Sequence, residues 1–321
     1  MMRKPSVCQK IEPELVATAI GDADTTTAAR VETHVRACAP CRQDLARYRA
    51  IDSAVGAWRG APAPAEELVG ARLTSRLADL RRRTLVYRIF PSPLGPILIA
   101  RSEEGVSCIE YLTGGSDFAH SRLSREEGIE ALLDGAEVEA LYRDLLEYVE
   151  GRRTRLEWPL DLRLARSEFH RAVLQATAQI PYGAVRSYAG IAGVLGKPAA
   201  TRAVAQALRW NPLPIVVPCH RVIGASGALT GYAGNRVMLK QRLLAVEGIR
   251  AIGPRSDSRV ARNTLYHYDR NDQREYCLPT CGDIARRPIG PVTLLASREL
   301  AGAMGLVPCS ACRPDLHPLA A

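Results

Sequence analysis

Pro218-Cys219-His220-Arg221 places a thiol directly before an imidazole, behind a rigid proline. The thiolate is the reactive form of cysteine, and with an ordinary pKa near ~8.5 the group is mostly a thiol at neutral pH. A neighbouring base, a cation or a helix N-terminus lowers that barrier. The preceding run, Asn211-Pro212-Leu213-Pro214-Ile215-Val216-Val217, reads as a turn followed by a short apolar stretch. Cys219 is therefore expected at the end of a buried segment, beside a loop. Residue types alone leave two readings of the pair: an activated nucleophile, or a structural cysteine with a histidine nearby by chance.

The other thiols fall into two groups at the chain ends. His34-Val35-Arg36-Ala37-Cys38-Ala39-Pro40-Cys41 spells H-x3-C-x2-C. His34 and Cys38, four apart, share one side of a helix expected over 25–36, and Cys41 is expected at the turn introduced by Pro40. Cys8 can supply a fourth ligand, giving the set of three cysteines and one histidine of a closed tetrahedral zinc site. An apolar helix pair lined by thiols is the other reading. Near the C-terminus, Cys277-x3-Cys281 and Cys309-x2-Cys312 form two close pairs, a four-cysteine zinc pattern. Cys108 lies alone in a strand-like stretch and is expected in the core. Nine cysteines without a secretory leader point to metal and catalysis rather than disulfides.

These groups need elements to hold them. The 321 residues are enough for two or three domains, and no apolar run approaches the ~18–20 residues of a membrane span. Met1-Met2-Arg3-Lys4 has no signal-peptide core behind it, so a cytoplasmic protein without a membrane partner is expected. Gly60–Ala65 reads as a linker and 73–83 as a basic amphipathic helix. Val86–Phe90, Ile97–Ala100 and Gly105–Tyr111 read as strands of a small antiparallel sheet, and 138–151 as a helix. Ser167 caps a helix over 168–179. Ala189–Leu195 and Ala199–Trp210, joined through Gly196-Lys197-Pro198, make a helix-turn-helix. Ala199, Ala200, Ala203, Ala205 and Ala207 leave its second helix slim, suited to close approach to a narrow groove. Residues 167–248 hold nine Lys/Arg against two acids, a net +7 that suggests a polyanionic partner, most simply DNA.

Asn211-Pro212, Pro218–Ile223, Gly227, Gly231-Tyr232 and Leu244-Ala245-Val246-Glu247-Gly248, taken together, resemble the DNA O6-alkylguanine alkyltransferase family. The likeness runs from about Thr84 to Gly248, half the chain. It implies direct, single-turnover transfer of an alkyl group from O6-alkylguanine, and from O4-alkylthymine, to Cys219 without a cofactor, on double-stranded DNA carrying alkylated bases. By resemblance, His220 takes the Cys219 proton directly or through water, Glu247 orients His220, Asn211 shapes the turn, and Tyr188 donates to the departing guanine. Arg202 matches the finger that replaces a flipped-out base. Ala200, Ala203, Arg209 and Arg221 are carried over as DNA contacts. Pro214, Val222, Tyr232, Ala233 and Gly234 are carried over as pocket positions. Ala233 stands where some members have serine.

Cys8…His34-x3-Cys38-x2-Cys41 resembles the zinc-finger domain of anti-sigma factors, which implies a helical module binding a sigma factor or another protein. Tyr276-Cys277, Ala301-Gly302 and Cys309-Ser310-Ala311-Cys312-Arg313-Pro314 resemble the metal-binding domain of Ada-type regulators. In that family the residue matching Cys277 accepts methyl groups from phosphotriesters. Leu278 and Gly282-Asp283 depart from its basic pattern. The expected architecture is α+β and multidomain: a zinc module (1–60), a linker and bridging helix (61–83), the two alkyltransferase subdomains (84–166 and 167–248), a linker (249–262) and a zinc-binding domain (263–321). The alternative function is an alkylation-responsive transcriptional regulator or a zinc anti-sigma-like regulatory protein.

Overall fold

The structure is a computed structural model that describes residues 6–59, 64–112, 118–133, 136–234, 236–254, 257–270 and 274–319. The chain divides into two compact units, Met1–Ala78 and Asp79–Ala321. Among the described residues no helix is long and apolar enough to cross a membrane.

The first unit contains α1 (Ser6–Ala19), α2 (Thr25–Ala37), α3 (Ala39–Arg59) and the start of α4 (Pro64–Arg83). Asp24 caps α2, its carboxylate accepting the Thr27 N–H at 2.7 Å. Arg42 closes the other end by donating to the Val35 and Arg36 carbonyls. The core is small: Leu15, Val31, Val35 and Leu45 with the thiols of Cys8 and Cys41. A core this small is the usual setting for a metal staple. Cys41 lies inside the first turn of α3 rather than in a turn, because Pro40 takes an early helical position where its missing N–H costs nothing. Gly60–Ala63 of the expected linker lie outside the described residues; Pro64 and Ala65 already belong to α4.

The second unit opens with a four-stranded sheet of β1 (Thr84–Phe90), β2 (Ile97–Arg101), β3 (Val106–Tyr111) and β4 (Glu130–Leu133) in the order β3-β2-β1-β4. The first three strands are antiparallel, but β4 joins β1 in parallel, so the sheet is mixed rather than purely antiparallel. Helix α5 (Ala136–Val149) covers one face through Val138, Leu145, Tyr148 and Val149.

The helical part comprises α6 (Glu168–Ala178), capped by Ser167, then β5 (Ala184–Ser187), α7 (Tyr188–Val194) and α8 (Thr201–Arg209). A single tight turn, Cys219–Arg221, leads into β6 (Val222–Ile223), and α9 (Val237–Val246) follows. The stretch expected as a linker is partly a hairpin, β7 (Ala251–Ile252) with β8 (Arg259–Val260). It is tied down because Leu229 donates to the Ser258 carbonyl and Val260 to that of Gly227; Arg255 and Ser256 lie outside the described residues.

Residues 266–308 supply β9 (Tyr266–Asp269), β10 (Glu275–Cys277), α10 (Gly282–Ala285), β11 (Val292–Leu295), α11 (Arg298–Ala303) and β12 (Val307–Pro308). Their strands run into those of the helical part as one six-stranded sheet, β12-β10-β9-β11-β5-β6.

Candidate active site

Cys219 sits at the end of a loop that Asn211 organises. The Asn211 carboxamide oxygen accepts the Leu213 N–H at 2.9 Å, and its amide nitrogen donates to the Val217 carbonyl at 2.9 Å and to the Cys219 sulfur at 3.1 Å. Val217 donates back to the Leu213 carbonyl at 2.8 Å. Closing this loop puts Ile215 at φ 78°, a left-handed conformation that is costly for a β-branched residue. The surrounding hydrogen bonds and the burial of Ile215 hold it there.

His220 is fully buried, and its Nε2 lies 2.6 Å from Glu247 Oε1. Glu247 at neutral pH only accepts, so Nε2 carries the proton and Nδ1 presents a lone pair. That Nδ1 is buried and has no hydrogen-bond partner among the described residues, so it does not bond Cys219 directly. Arg221 clamps Glu247 through Nε, 2.9 Å from Oε2 and 3.1 Å from Oε1, and also donates to Tyr148 and the Ile180 carbonyl. Tyr148 donates to Glu247 Oε1 at 2.5 Å and the Gly183 N–H reaches Oε2. Arg221, expected to contact DNA, is thus a buried cation spent on Glu247, and that expectation is corrected.

Charge in the cluster follows from these contacts. Burial works against ionising Glu247, but His220 and Arg221 beside it hold its pKa down to about 2. Burial pushes the His220 pKa below its ordinary value despite Glu247, so the imidazole is neutral. Burial raises the Cys219 thiol, while the Asn211 amide and the Lys240 charge pull it back in part. The resting group is a thiol beside a neutral base.

Lys240 is wholly buried, with Nζ 2.5 Å from the Val222 carbonyl and 3.2 Å from that of Thr230; burial lowers its pKa to about 8. Tyr188 donates to the same Thr230 carbonyl at 3.2 Å. Pro214, Val222 and Tyr232 are buried, whereas Ala233 and Gly234 are exposed. The Tyr232 hydroxyl meets that of Tyr111 at 2.9 Å. On α8, Arg202, Ala203 and Arg209 lie on an exposed face with Ala200 half-buried at its start, while Val204, Ala207 and Leu208 face the core.

Arg221's partnership, Tyr148, Tyr111 and Lys240 escape the sequence reading. Lys240 had a signal: Val237, Lys240, Leu244 and Glu247 fall at helical spacing on one stripe, so both charges interrupt an otherwise apolar face.

The eight metal-type residues gather into two sets, Cys8/His34/Cys38/Cys41 and Cys277/Cys281/Cys309/Cys312, each with ligand atoms within 4.8 Å of one another. Four sulfurs bonded at ~2.3 Å to one tetrahedral ion stand ~3.8 Å apart. Cys8 and Cys38 sulfurs are 3.8 Å apart, and His34 Nε2 is 3.9 Å from Cys8 and 3.3 Å from Cys41. In the second set the Leu278 N–H donates to Cys312 at 3.3 Å. Both donor sets fit a metal ion.

Residues 85–162 match the model of the 6-O-methylguanine DNA methyltransferase ribonuclease-like domain, and residues 168–249 that of the 6-O-methylguanine DNA methyltransferase DNA binding domain. A methylated-DNA–protein-cysteine methyltransferase of Methanosarcina acetivorans is 39% identical over 166 residues, 51% of this chain and 99% of that protein. The constitutive enzyme of that name from Bacillus subtilis is 39% identical over 165 residues, 51% of this chain and 95% of its own. A crystal structure of Mycobacterium tuberculosis O6-methylguanine methyltransferase shares 39% identity over 51% of this chain and 92% of that one, with a TM-score of 0.44. With its near-complete coverage of these relatives, the chain belongs to the methylated-DNA–protein-cysteine methyltransferase family.

Proposed function

We propose that this chain repairs alkylated DNA by moving the alkyl group from O6 of guanine, and from O4 of thymine, onto Cys219, once per molecule. The observation that carries the reading is a buried cluster in which Asn211 holds the Cys219 sulfur while Glu247, clamped by Arg221, holds the adjacent His220. Burial, with Arg221 balancing the Glu247 charge, keeps His220 neutral, and its Nδ1 can take the Cys219 proton through a bridging water. The thiolate sulfur then bonds to the alkyl carbon as the carbon–O6 bond breaks. The Tyr188 hydroxyl supplies a proton to the departing guanine and regains one from solvent, and His220 releases the thiol proton to solvent. The thioether product is a poor leaving group, so Cys219 is not regenerated.

The substrate is double-stranded DNA. A paired base cannot bring its alkyl carbon to a thiol only 7% exposed, so the nucleotide must flip out, at a cost of a few kcal/mol. Arg202 on the exposed face of α8 fills the gap, with Ala200, Ala203 and Arg209 allowing close approach.

Zinc is the ion proposed for both thiol sets, where it would fix the fold as a closed four-coordinate site. Leu278 and Gly282-Asp283, which depart from the basic pattern of methyl-accepting members, support a structural part for Cys277 over methyl acceptance from phosphotriesters. For the first unit the proposed partner is a sigma factor, on the strength of the H-x3-C-x2-C spacing with Cys8; co-purification under reducing conditions tests it.

Intact mass after incubation with excess O6-methylguanine duplex decides the main reading. One added methyl on wild type and none on Cys219→Ala is expected. Sustained turnover, or methyl uptake by the alanine variant at the same stoichiometry, sinks it.

A further inference from the structure

The C-terminal thiol module completes the sheet on which the reactive residues stand. Strand β5 is held on one side by β11, with Arg186 opposite Thr293, Val185 opposite Leu294 and Ala184 opposite Leu295. On its other side β5 pairs with β6, Arg186 opposite Val222 and Ser187 opposite Ile223. The residue after β5 is Tyr188, and the residues just before β6 are Cys219, His220 and Arg221. Both ends of the proposed chemistry therefore hang from a strand that the module grips.

The grip extends to α7 itself. The fully buried Ser187 hydroxyl accepts the Gly190 N–H at 2.9 Å, capping α7, and donates toward the Ile289 and Gly290 carbonyls at 3.3 and 3.4 Å. Gly190 is packed so closely that a Cβ there would stand 2.6 Å from the Gly290 carbonyl oxygen. No turn or positive φ calls for glycine at this helical position; the module's backbone does. Arg186 Nε adds a hydrogen bond to Thr293 Oγ1 at 3.0 Å. A seven-residue run of the module, 289–295, thus meets β5 and the first turn of α7, the turn that carries Tyr188.

We propose that the C-terminal module is a positioning element of the transferase: through Gly290 against Gly190 and Thr293 against Arg186, it sets Tyr188 for proton donation to the departing base. This rests on the alkyl-transfer function proposed above. The module's thiol cluster and the repair centre then form one cooperative sheet, so a change at the cluster is felt at Tyr188.

The full-length chain tests it with Gly190→Ala and, separately, Thr293→Val. Alanine is the better helix former, so α7 taken alone gains from the first change, while the added methyl pushes the module away. Two reactions at Cys219 are followed by mass mapping of the peptide that carries it, since the chain has eight other cysteines. One is methyl transfer from O6-methylguanine duplex at saturating DNA. The other is methylation by iodomethane, in which the thiolate bonds to carbon, iodide leaves and no proton donor is needed. Gly190→Ala is expected to slow the DNA reaction roughly 10- to 100-fold, the effect of a misplacement of about 1 Å, with the iodomethane rate unchanged. Thr293→Val shows the same pattern, smaller, and decides the matter if the alanine variant does not fold. DNA transfer at the wild-type rate in the folded variants, or parallel losses in both reactions, overturns the proposal. A wild-type chain that takes no methyl from DNA would instead sink the function proposed above.

Discussion

Arg221 and Glu247 form a buried ion pair, Nε to Oε2 at 2.9 Å, with side chains 8% and 0% exposed. The pair is the floor of the site: it keeps Glu247 ionised and leaves His220 free of charge. Removing one member strands the other in a low-dielectric interior, which costs about 3–5 kcal/mol. Arg221→Met is expected to lower unfolding stability by that amount in urea titrations monitored on the folded core. Arg202→Ala, on the exposed face of α8, should leave stability alone and weaken duplex binding. Equal stability losses in the two variants would contradict the assignment of Arg221 to the interior.

The same pair makes stability depend on acid. The folded-state pKa of Glu247, about 2, lies below the ordinary carboxylate value of about 4.3. The unfolded chain therefore binds a proton first as pH falls. The contribution is fully present above the unfolded value and is lost as pH drops from there toward about 2. Glu247→Gln should be less stable than wild type at neutral pH, and the difference should shrink across that window. A difference that stays constant down to pH 2 would mean that Glu247 is not depressed.

Repair rate should follow His220 instead. Burial lowers its pKa, so the base is unprotonated throughout the neutral range and is lost only below the ordinary histidine value. Single-turnover transfer, measured by rapid quench, is expected to be level through neutral pH and to fall on the acid side of pH ~6.5. His220→Asn should abolish that acid limb along with most of the rate. A limb rising through pH 7 would point to His220 protonated in the resting site.

How much of this the sequence revealed follows from where each signal lies. The cap Ser167, the three antiparallel strands of the first sheet and the helix-turn-helix are local patterns, and they appear within a residue or two of their expected bounds, whereas β4 carried no such pattern and was not expected. The two thiol sets were legible because ligand spacing is local too; the joining of distant Cys8 to the first set, and of the two close pairs in the second, had to be inferred. Arg221 was misread because its neighbours in the chain are loop-like, while its partners, Glu247 and Tyr148, come from 26 and 73 residues away. The left-handed Ile215 has no sequence signal at all: β-branched residues disfavour that conformation, and only the Asn211 hydrogen bonds impose it. The joining of β5 to β11 is likewise non-local, since nothing in either short strand names its partner.

With zinc in the thiol set as proposed, the first unit should depend on that ion. Its core holds six buried residues among those described, of which Cys8 and Cys41 belong to the set. Taking the ion away from such a small core removes both the cross-link and the charge balance among the thiols. With chelator added to the full-length chain under reducing conditions, amide exchange in 6–59 is expected to lose protection while β2 and β3 keep theirs. Protection of α1–α3 that survives chelation would show that helix packing alone suffices.

Tyr111 and Tyr232 join the sheet of the first subdomain to the loop over Cys219, hydroxyl to hydroxyl at 2.9 Å, with both rings buried. Burial raises both phenols well above their ordinary range, so each stays protonated and only one can donate to the other. Tyr111→Phe keeps the ring and strips one hydroxyl, leaving the Tyr232 oxygen buried without that partner. Such a loss costs about 1–3 kcal/mol. Because Tyr232 lies in the loop ahead of α9, part of that cost should appear as loop mobility and not as global unfolding. The expected result is slower transfer from O6-methylguanine duplex, faster amide exchange across 230–234, and a stability change confined to that range. Unchanged exchange in this loop together with a wild-type rate would show that the hydroxyl pair does not set the pocket.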